Sequence, residues 1–201
     1  MYFAIQYYPL MQKRSYYIVN GITLYRLLAA PLLIVLIIYN KPGIFKWLLV
    51  LSFFTDAIDG YLARRFRVAS ILGSKLDSIA DDLTILAALA GMFVFKQEFL
   101  KQEFVLISLP VALFLLQTVL ALIRYGKATS FHTYGAKAAA IFQGIFILLL
   151  FFLPEPVYIL FYIAVIVTIL ELLEEIILLF LIPKWQTDIK GLYWILKEKS
   201  A

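Results

Sequence analysis

The sequence predicts an all-α, polytopic integral membrane protein with six transmembrane helices and a short N-terminal interfacial segment. Three observations carry this expectation. Of the 201 residues, 64% are apolar, and mean hydropathy is +0.93; an ordinary soluble domain is nearer to about half apolar. Apolar stretches long enough to cross a bilayer, roughly 20 residues each, recur along the chain. Basic residues gather in alternate connections, as the positive-inside bias requires. A chain of this length leaves little room for a separate soluble domain. Residues 1–201 therefore read as one membrane domain.

The elements follow in order. Residues 1–17 read as the interfacial segment, with Tyr and Phe beside Lys13 and Arg14. No small-residue cleavage site follows a basic start, so no cleaved signal peptide is expected. The first span is expected over 22–40, with Asn20 as a good N-cap. Lys41-Pro42-Gly43 makes a tight turn into a second span over 47–65. Gly73 is expected to relax the turn before a third span over 74–95. Further spans are expected over 104–124, 136–153 and 157–182, the last two separated by Pro154-Glu155-Pro156. Residues 184–201 read as a cytosolic, polar-amphipathic tail. Its Trp185, Trp194, Lys190, Lys197 and Lys199 are of the kind found at headgroup level.

Orientation comes from the charges. One set of connections holds Lys13, Arg14, Arg64, Arg65, Arg67, Arg124, Lys127 and the C-terminal lysines. The opposite set holds Lys41, Lys46, Lys96 and Lys101. An even span count then places both termini in the cytosol of a bacterial-type plasma (inner) membrane. The net charge of +5 reads as membrane topology, and no nucleic-acid partner is expected. The absence of cysteine is compatible with a reducing compartment.

One stretch breaks the apolar pattern. It runs Asp56-x-x-Asp59-Gly60-x-x-Ala63-Arg64, then eight residues, then Gly73-x-x-x-Asp77-x-x-x-Asp81. Asp56 and Asp59 are one helical turn apart, as are Asp77 and Asp81, so each pair projects from one face of its helix. Asp77 and Asp81 alone would pass as helix-end residues at a water interface. Four carboxylates at this spacing near a bilayer need compensation, and a divalent cation is the simplest. Two helices with facing Asp pairs form an oxygen cage suited to Mg²⁺ or Mn²⁺. Without cysteine and with His132 as the one histidine, zinc or iron is not expected. Gly60 has no side chain, so a backbone or a phosphate can come close. Asp82 neighbours Asp81 but points about 100° away on a helix and stays outside the cage. Asp56 would lie roughly 12 Å deeper than Arg64.

These residues resemble the signature of the CDP-alcohol phosphatidyltransferase family, D-x-x-D-G-x-x-A-R-x8-G-x-x-x-D-x-x-x-D, matched at every fixed position. The resemblance implies a small membrane enzyme of six helices, commonly a homodimer. It would transfer a phosphatidyl group from CDP-diacylglycerol, or a similar CDP-lipid, to an alcohol and release CMP. It also implies two Mg²⁺ ions, with Mn²⁺ as a substitute. Asp56, Asp59 and Asp77 would hold them, Asp56 and Asp77 bridging. Asp81 would touch the second ion and serve as general base.

The same resemblance implies CDP-lipid contacts. Arg64 is singled out by the motif and can pair bidentately with a diphosphate, whereas Arg65 and Arg67 read as positive-inside residues. Ser70 matches a nucleotide-holding position. Asn20-x-x-Thr23-x-x-Arg26 matches a Pro-Asn-x-x-Thr-x-x-Arg run, with Val19 in place of the proline; Asn20 and Thr23 would line the CDP pocket. The plainer alternative is a capped helix start, with Asn20 as the N-cap. Arg26 sits inside the first span, costly unless paired or reaching the interface.

Arg124, Lys127, His132 and Lys137 form a basic set after the fourth span. Topology explains Arg124 and Lys127; Lys137 opens an apolar helix and is explained least. In related enzymes with phosphorylated acceptors, basic residues here bind the acceptor phosphate. Phosphatidylglycerophosphate synthases carry a G-K-x-K-T-x-x-Q-like run, where this chain reads Tyr134-Gly135-Ala136-Lys137-Ala138. Acceptor binding is therefore expected of Arg124 and Lys137, with glycerol 3-phosphate the first choice among glycerol 3-phosphate, inositol phosphate, serine, choline and phosphatidylglycerol. Glu171, Glu174 and Glu175 match no motif. They could pair with Arg26 or Lys137, face a cavity, or sit at a subunit contact. Two rival readings are an intramembrane prenyltransferase, which would lack the Gly60-x-x-Ala63-Arg64 element, and an ion or proton transporter built on intramembrane acids.

Overall fold

The computed structural model describes residues 21–66, 71–129, 131, 133–187 and 189–199. Within them it leaves aside the side chains of residues 57, 59–66, 71–75, 77, 78, 82, 198 and 199. The described residues are overwhelmingly helical. In chain order the helices are α1 (Gly21–Ile38), α2 (Pro42–Phe66), α3 (Ile71–Phe95), α4 (Gln97–Gln102), α5 (Phe104–Tyr125), α6 (Tyr134–Phe152), α7 (Tyr158–Leu181) and α8 (Leu192–Lys199). Six long helices stand at the six predicted positions. Gly73 lies inside the first turn of α3 rather than in a turn between helices. The short α4 was not expected, and α8 gives the tail a helix of its own.

Among the described residues three helices, α1, α5 and α6, are long and apolar enough to cross a membrane by length and composition. α2, α3 and α7 are equally long, at 25, 25 and 24 residues, but each carries several charged residues. Large apolar side chains lie on outer surfaces, including Ile38 at 74%, Ile123 at 78% and Ile159 at 76% exposure. Such a surface belongs in lipid rather than water.

The chain forms two compact units, Met1–Gln97 and Glu98–Ala201. In the first, each helix buries one stripe. On α1 it comprises Arg26, Ala29, Ala30, Leu33 and Ile37; on α2, Phe45, Leu49 and Ser52; on α3, Ala80, Thr84, Ala87, Ala88 and Met92. These positions recur every three or four residues, the period of a helix face. Alanines along α1 and α3 permit close helix approach. α1 ends where Asn40 adopts φ 51. There Asn40 N–H donates to Ile37 and Lys41 N–H to Leu36 at 2.9 Å, a left-handed cap that Asn tolerates. Pro42 then opens α2, where its missing N–H costs nothing.

In the second unit α7 packs against both α5 and α6. Phe99 of α4, Phe146 of α6 and Phe161 of α7 form one ring cluster, with centroids 5.1 to 5.6 Å apart. Gly126 ends α5 at φ 68, its N–H donating to Leu122, as a left-handed cap does. Thr133 caps α6, its hydroxyl accepting from Ala136 N–H at 3.0 Å.

The C-terminal segment packs against the second unit. Ile189 N–H donates to Phe131 at 2.7 Å and Tyr134 N–H to Lys190 at 3.2 Å. Trp185 Nε1 donates to Ala128 at 3.0 Å. Ile189 joins a buried cluster with Ala121, Phe131, Leu178, Leu179 and Ile182. Burial of Phe131 and Ile189 is what ties the tail down. Hydropathy of the tail taken alone could not show it, because the partner surface lies more than fifty residues earlier in the chain.

Candidate active site

The site in the first unit continues the packing stripes. Arg26 extends the α1 stripe one turn below Ala29 and Ala30. On α2, Phe45, Leu49, Ser52 and Asp56 share one face. On α3, Asp81, Thr84 and Ala88 do the same. The packing that aligns the three helices thus brings three ionised groups to one place. The Arg26 Nη1 is 2.8 Å from Asp56 Oδ1, and its Nη2 pairs with Asp81 Oδ1. Arg26 is 1% exposed, and a buried guanidinium without partners would be severely destabilising. The side chains of Asp56 and Asp81 stay 41% and 43% exposed. The cation reaches them from inside the unit, and their remaining surface is open.

Hydroxyl residues line the same stripes. Thr23 is 3% exposed and lies one turn before Arg26. Ser52 Oγ donates to Leu48 at 3.0 Å, and Thr84 Oγ1 to Ala80 at 2.7 Å. Buried hydroxyls bonded to their own helix cost little.

Of the residues predicted to hold metal or CDP-lipid, Thr23, Asp56 and Asp81 are described with their side chains. Asp59, Gly60 and Arg64 lie on α2 and Asp77 on α3, their side chains outside the described set. Asn20, Ser70 and His132 lie outside the described residues altogether. The residue whose role sequence reasoning missed is Arg26. Its place three residues after Thr23, inside an apolar span, was the available signal.

The second unit holds the basic set. Arg124 lies in the last turn of α5, its Nη2 donating to Ile182 at 3.4 Å. The Lys127 ammonium sits 5.1 Å from the Trp185 ring centroid, and the Lys137 ammonium 5.4 Å from the Tyr134 ring; both are cation–π distances. Two of the glutamates have described partners within the unit. Glu175 accepts from Gln117 Nε2 at 2.6 Å and from Thr129 at 3.3 Å. Glu174 accepts from Leu192 N–H at 2.7 Å. Nearby, Gln143 Nε2 donates to Thr168 Oγ1 at 2.6 Å, joining α6 to α7.

Among the described residues no three His, Cys, Asp or Glu side chains form a metal-binding group. Two of the four motif carboxylates are described, and both face one positive charge while offering open oxygen surface. An all-oxygen donor set that already converges on a cation fits a hard divalent ion.

The chain matches the sequence profile of the CDP-alcohol phosphatidyltransferase family over residues 16–170, and it belongs to that family. Among its relatives, a CDP-diacylglycerol–glycerol-3-phosphate 3-phosphatidyltransferase of Cereibacter sphaeroides is 40% identical over 74 residues, 35% of this chain and 34% of that one. A cardiolipin synthase (CMP-forming)/mitochondrial hydrolase fusion protein of Schizosaccharomyces pombe is 38% identical over 71 residues, 35% of this chain and 12% of that one. A CDP-diacylglycerol–inositol 3-phosphatidyltransferase of Saccharomyces cerevisiae is 38% identical over 66 residues, 33% of this chain and 30% of that one. The chain thus spans about a third or less of the length of these relatives. No solved structure matches it significantly.

Proposed function

We propose that this protein transfers a phosphatidyl group from CDP-diacylglycerol to an alcohol and releases CMP, as a step of phospholipid synthesis. One observation carries the reading: Asp56 and Asp81, the first and last carboxylates of the motif, come from different helices and meet at one cation. Family membership supports it, as do the phosphatidyl transfers that relatives' names describe.

In this reading Asp56, Asp59, Asp77 and Asp81 hold two Mg²⁺ ions, or Mn²⁺ in their place. When bound, these neutralise the diphosphate and polarise the phosphorus under attack. Asn20, Thr23, Gly60, Arg64 and Ser70 bind the CDP-lipid. The acceptor oxygen forms a bond to the phosphorus that carries the lipid. The bond from that phosphorus to the CMP oxygen breaks, and the hydroxyl proton passes to Asp81.

The same reading makes the chain one membrane domain with six crossings. At about 1.5 Å per residue α2, α3 and α7 are roughly 36–38 Å long, enough for a hydrocarbon core of about 30 Å. The Asp residues then face the cytosol of a bacterial-type inner membrane, and two copies associate through their helices.

The acceptor is proposed to be glycerol 3-phosphate. The name of the Cereibacter sphaeroides relative supports this, and so does the basic set Arg124, Lys127 and Lys137. The Saccharomyces cerevisiae relative favours an inositol-type acceptor as the second reading. Purified protein given CDP-diacylglycerol, Mg²⁺ and one alcohol at a time decides between them. Fastest CMP release with glycerol 3-phosphate is expected. Faster release with inositol, or with serine, rejects the acceptor and leaves the transfer chemistry standing.

A further inference from the structure

Arg26 is not one of the fixed positions of the Asp56–Asp81 motif, yet it is the residue on which the described carboxylates converge. We propose that Arg26 is a built-in counter-ion that holds Asp56 and Asp81 together while the divalent metal is absent. This rests on the metal-dependent reading above.

Three facts carry it. Arg26 is 1% exposed, so its charge is committed to groups inside the unit. Its two terminal nitrogens address different helices, one Asp56 on α2 and the other Asp81 on α3. Both carboxylates keep about two-fifths of their surface open. Without a cation between them, two carboxylates on adjacent helices repel each other and drive the helices apart. A planar, always-charged fork can bridge both at once, which a lysine ammonium does less well. The guanidinium occupies the inner face, and an incoming ion would meet the two carboxylates on their open surface.

The arrangement has a direction. With one positive charge against two negative ones, Arg26 leaves the described group net negative, so it still attracts a divalent ion. It also opposes that ion, being a like charge close by. Arg26 therefore stabilises the metal-free fold and weakens metal affinity. It is a positioning residue, acting on substrate chemistry through Asp56 and Asp81.

The test is thermal unfolding of detergent-purified protein in EDTA and in saturating Mg²⁺, with a Mn²⁺ titration followed by electron paramagnetic resonance. Arg26→Gln removes the charge and keeps hydrogen-bond donors. Its melting temperature is expected to fall by several degrees in EDTA and by much less in Mg²⁺, because the ion takes over neutralisation. By linkage, Mn²⁺ must then bind this variant more tightly, by about tenfold. An equal melting loss in both conditions with unchanged Mn²⁺ affinity overturns the proposal and makes Arg26 an ordinary structural pair; so does weaker Mn²⁺ binding. If Arg26→Gln does not fold, Arg26→Lys serves. It keeps the charge but not the fork, and is expected to lose stability mainly in EDTA; equal loss in both buffers again overturns the proposal. A wild-type protein that binds no Mn²⁺ removes the metal reading itself. Binding by wild type with no change in either variant removes only the role of Arg26.

Discussion

Glu174 on α7 accepts a hydrogen bond from the backbone N–H of Leu192 at 2.7 Å. A carboxylate placed at the first residue of α8 satisfies one of the donors a helix start leaves open and complements the helix dipole. The contact fixes where the C-terminal segment returns to the second unit. Gly191, just before it, has φ +147, and a Cβ there would come within 2.9 Å of Glu174 Oε1. Gly191→Ala is therefore expected to destabilise the protein by about 1–3 kcal/mol through strain and crowding. Glu174→Ala should cost about 1–3 kcal/mol, and Glu174→Gln less, since an amide oxygen still accepts. Thermal melts of the three variants check the order.

Gln117 and Glu175 make a second testable pair. Gln117 is 2% exposed, and its Nε2 lies 2.6 Å from Glu175 Oε2. Gln117→Leu removes a donor from a buried carboxylate and should cost about 2–4 kcal/mol. The double variant Gln117→Leu/Glu175→Leu should recover most of that loss, because two apolar groups need no partner. A double variant less stable than Gln117→Leu alone contradicts the pairing.

Turnover should depend on Asp81. Asp81→Asn keeps the size of the side chain but cannot take a proton, so kcat should fall by at least about 10²–10⁴-fold while CDP-diacylglycerol still binds. Asp56→Asn and Asp77→Asn should weaken Mn²⁺ binding as well. Near-normal kcat in Asp81→Asn rejects it as the general base.

Chelation gives an independent check. Exhaustive EDTA treatment should abolish CMP release, and Mg²⁺ or Mn²⁺ should restore it, as an all-oxygen site prefers hard ions. Full turnover after chelation excludes the proposed metal role.

Lys137→Ala should raise KM for a phosphorylated acceptor far more than KM for CDP-diacylglycerol, since charge-assisted bonds to phosphate are among the stronger polar contacts. The Lys137 ammonium lies over the Tyr134 ring. Tyr134→Phe keeps that ring face and should leave acceptor KM nearly unchanged.

The six long helices were legible because their apolar runs are long and bounded by breaks such as Pro154-Glu155-Pro156; Lys41-Pro42-Gly43 marked a boundary too, although Pro42 and Gly43 belong to α2 and the turn lies just before them. The Asp56–Asp81 spacing was legible because helical period puts paired residues on one face. What the sequence did not disclose depends on contacts distant along the chain. Arg26 and Asp81 are 55 residues apart. Gln117 and Glu175 are 58 apart. Only helix packing brings such groups together, and no periodicity encodes which buried charge faces which. The docked tail is a similar case. Its amphipathic character did not disclose that Ile189 shares a buried cluster with Phe131. α2, α3 and α7 are at least as long as α1, α5 and α6, but the charged residues they carry keep composition alone from marking them as spans.

The central claim is that the Asp cluster performs phosphatidyl transfer from a CDP-lipid. The most direct measurement follows CMP and the lipid product together, from CDP-diacylglycerol and glycerol 3-phosphate with Mg²⁺, using purified wild type and Asp81→Asn side by side. The account predicts one CMP per phosphatidyl product for wild type and neither above background for Asp81→Asn. Equal product from both proteins, or no CMP from wild type with any alcohol acceptor, would contradict it.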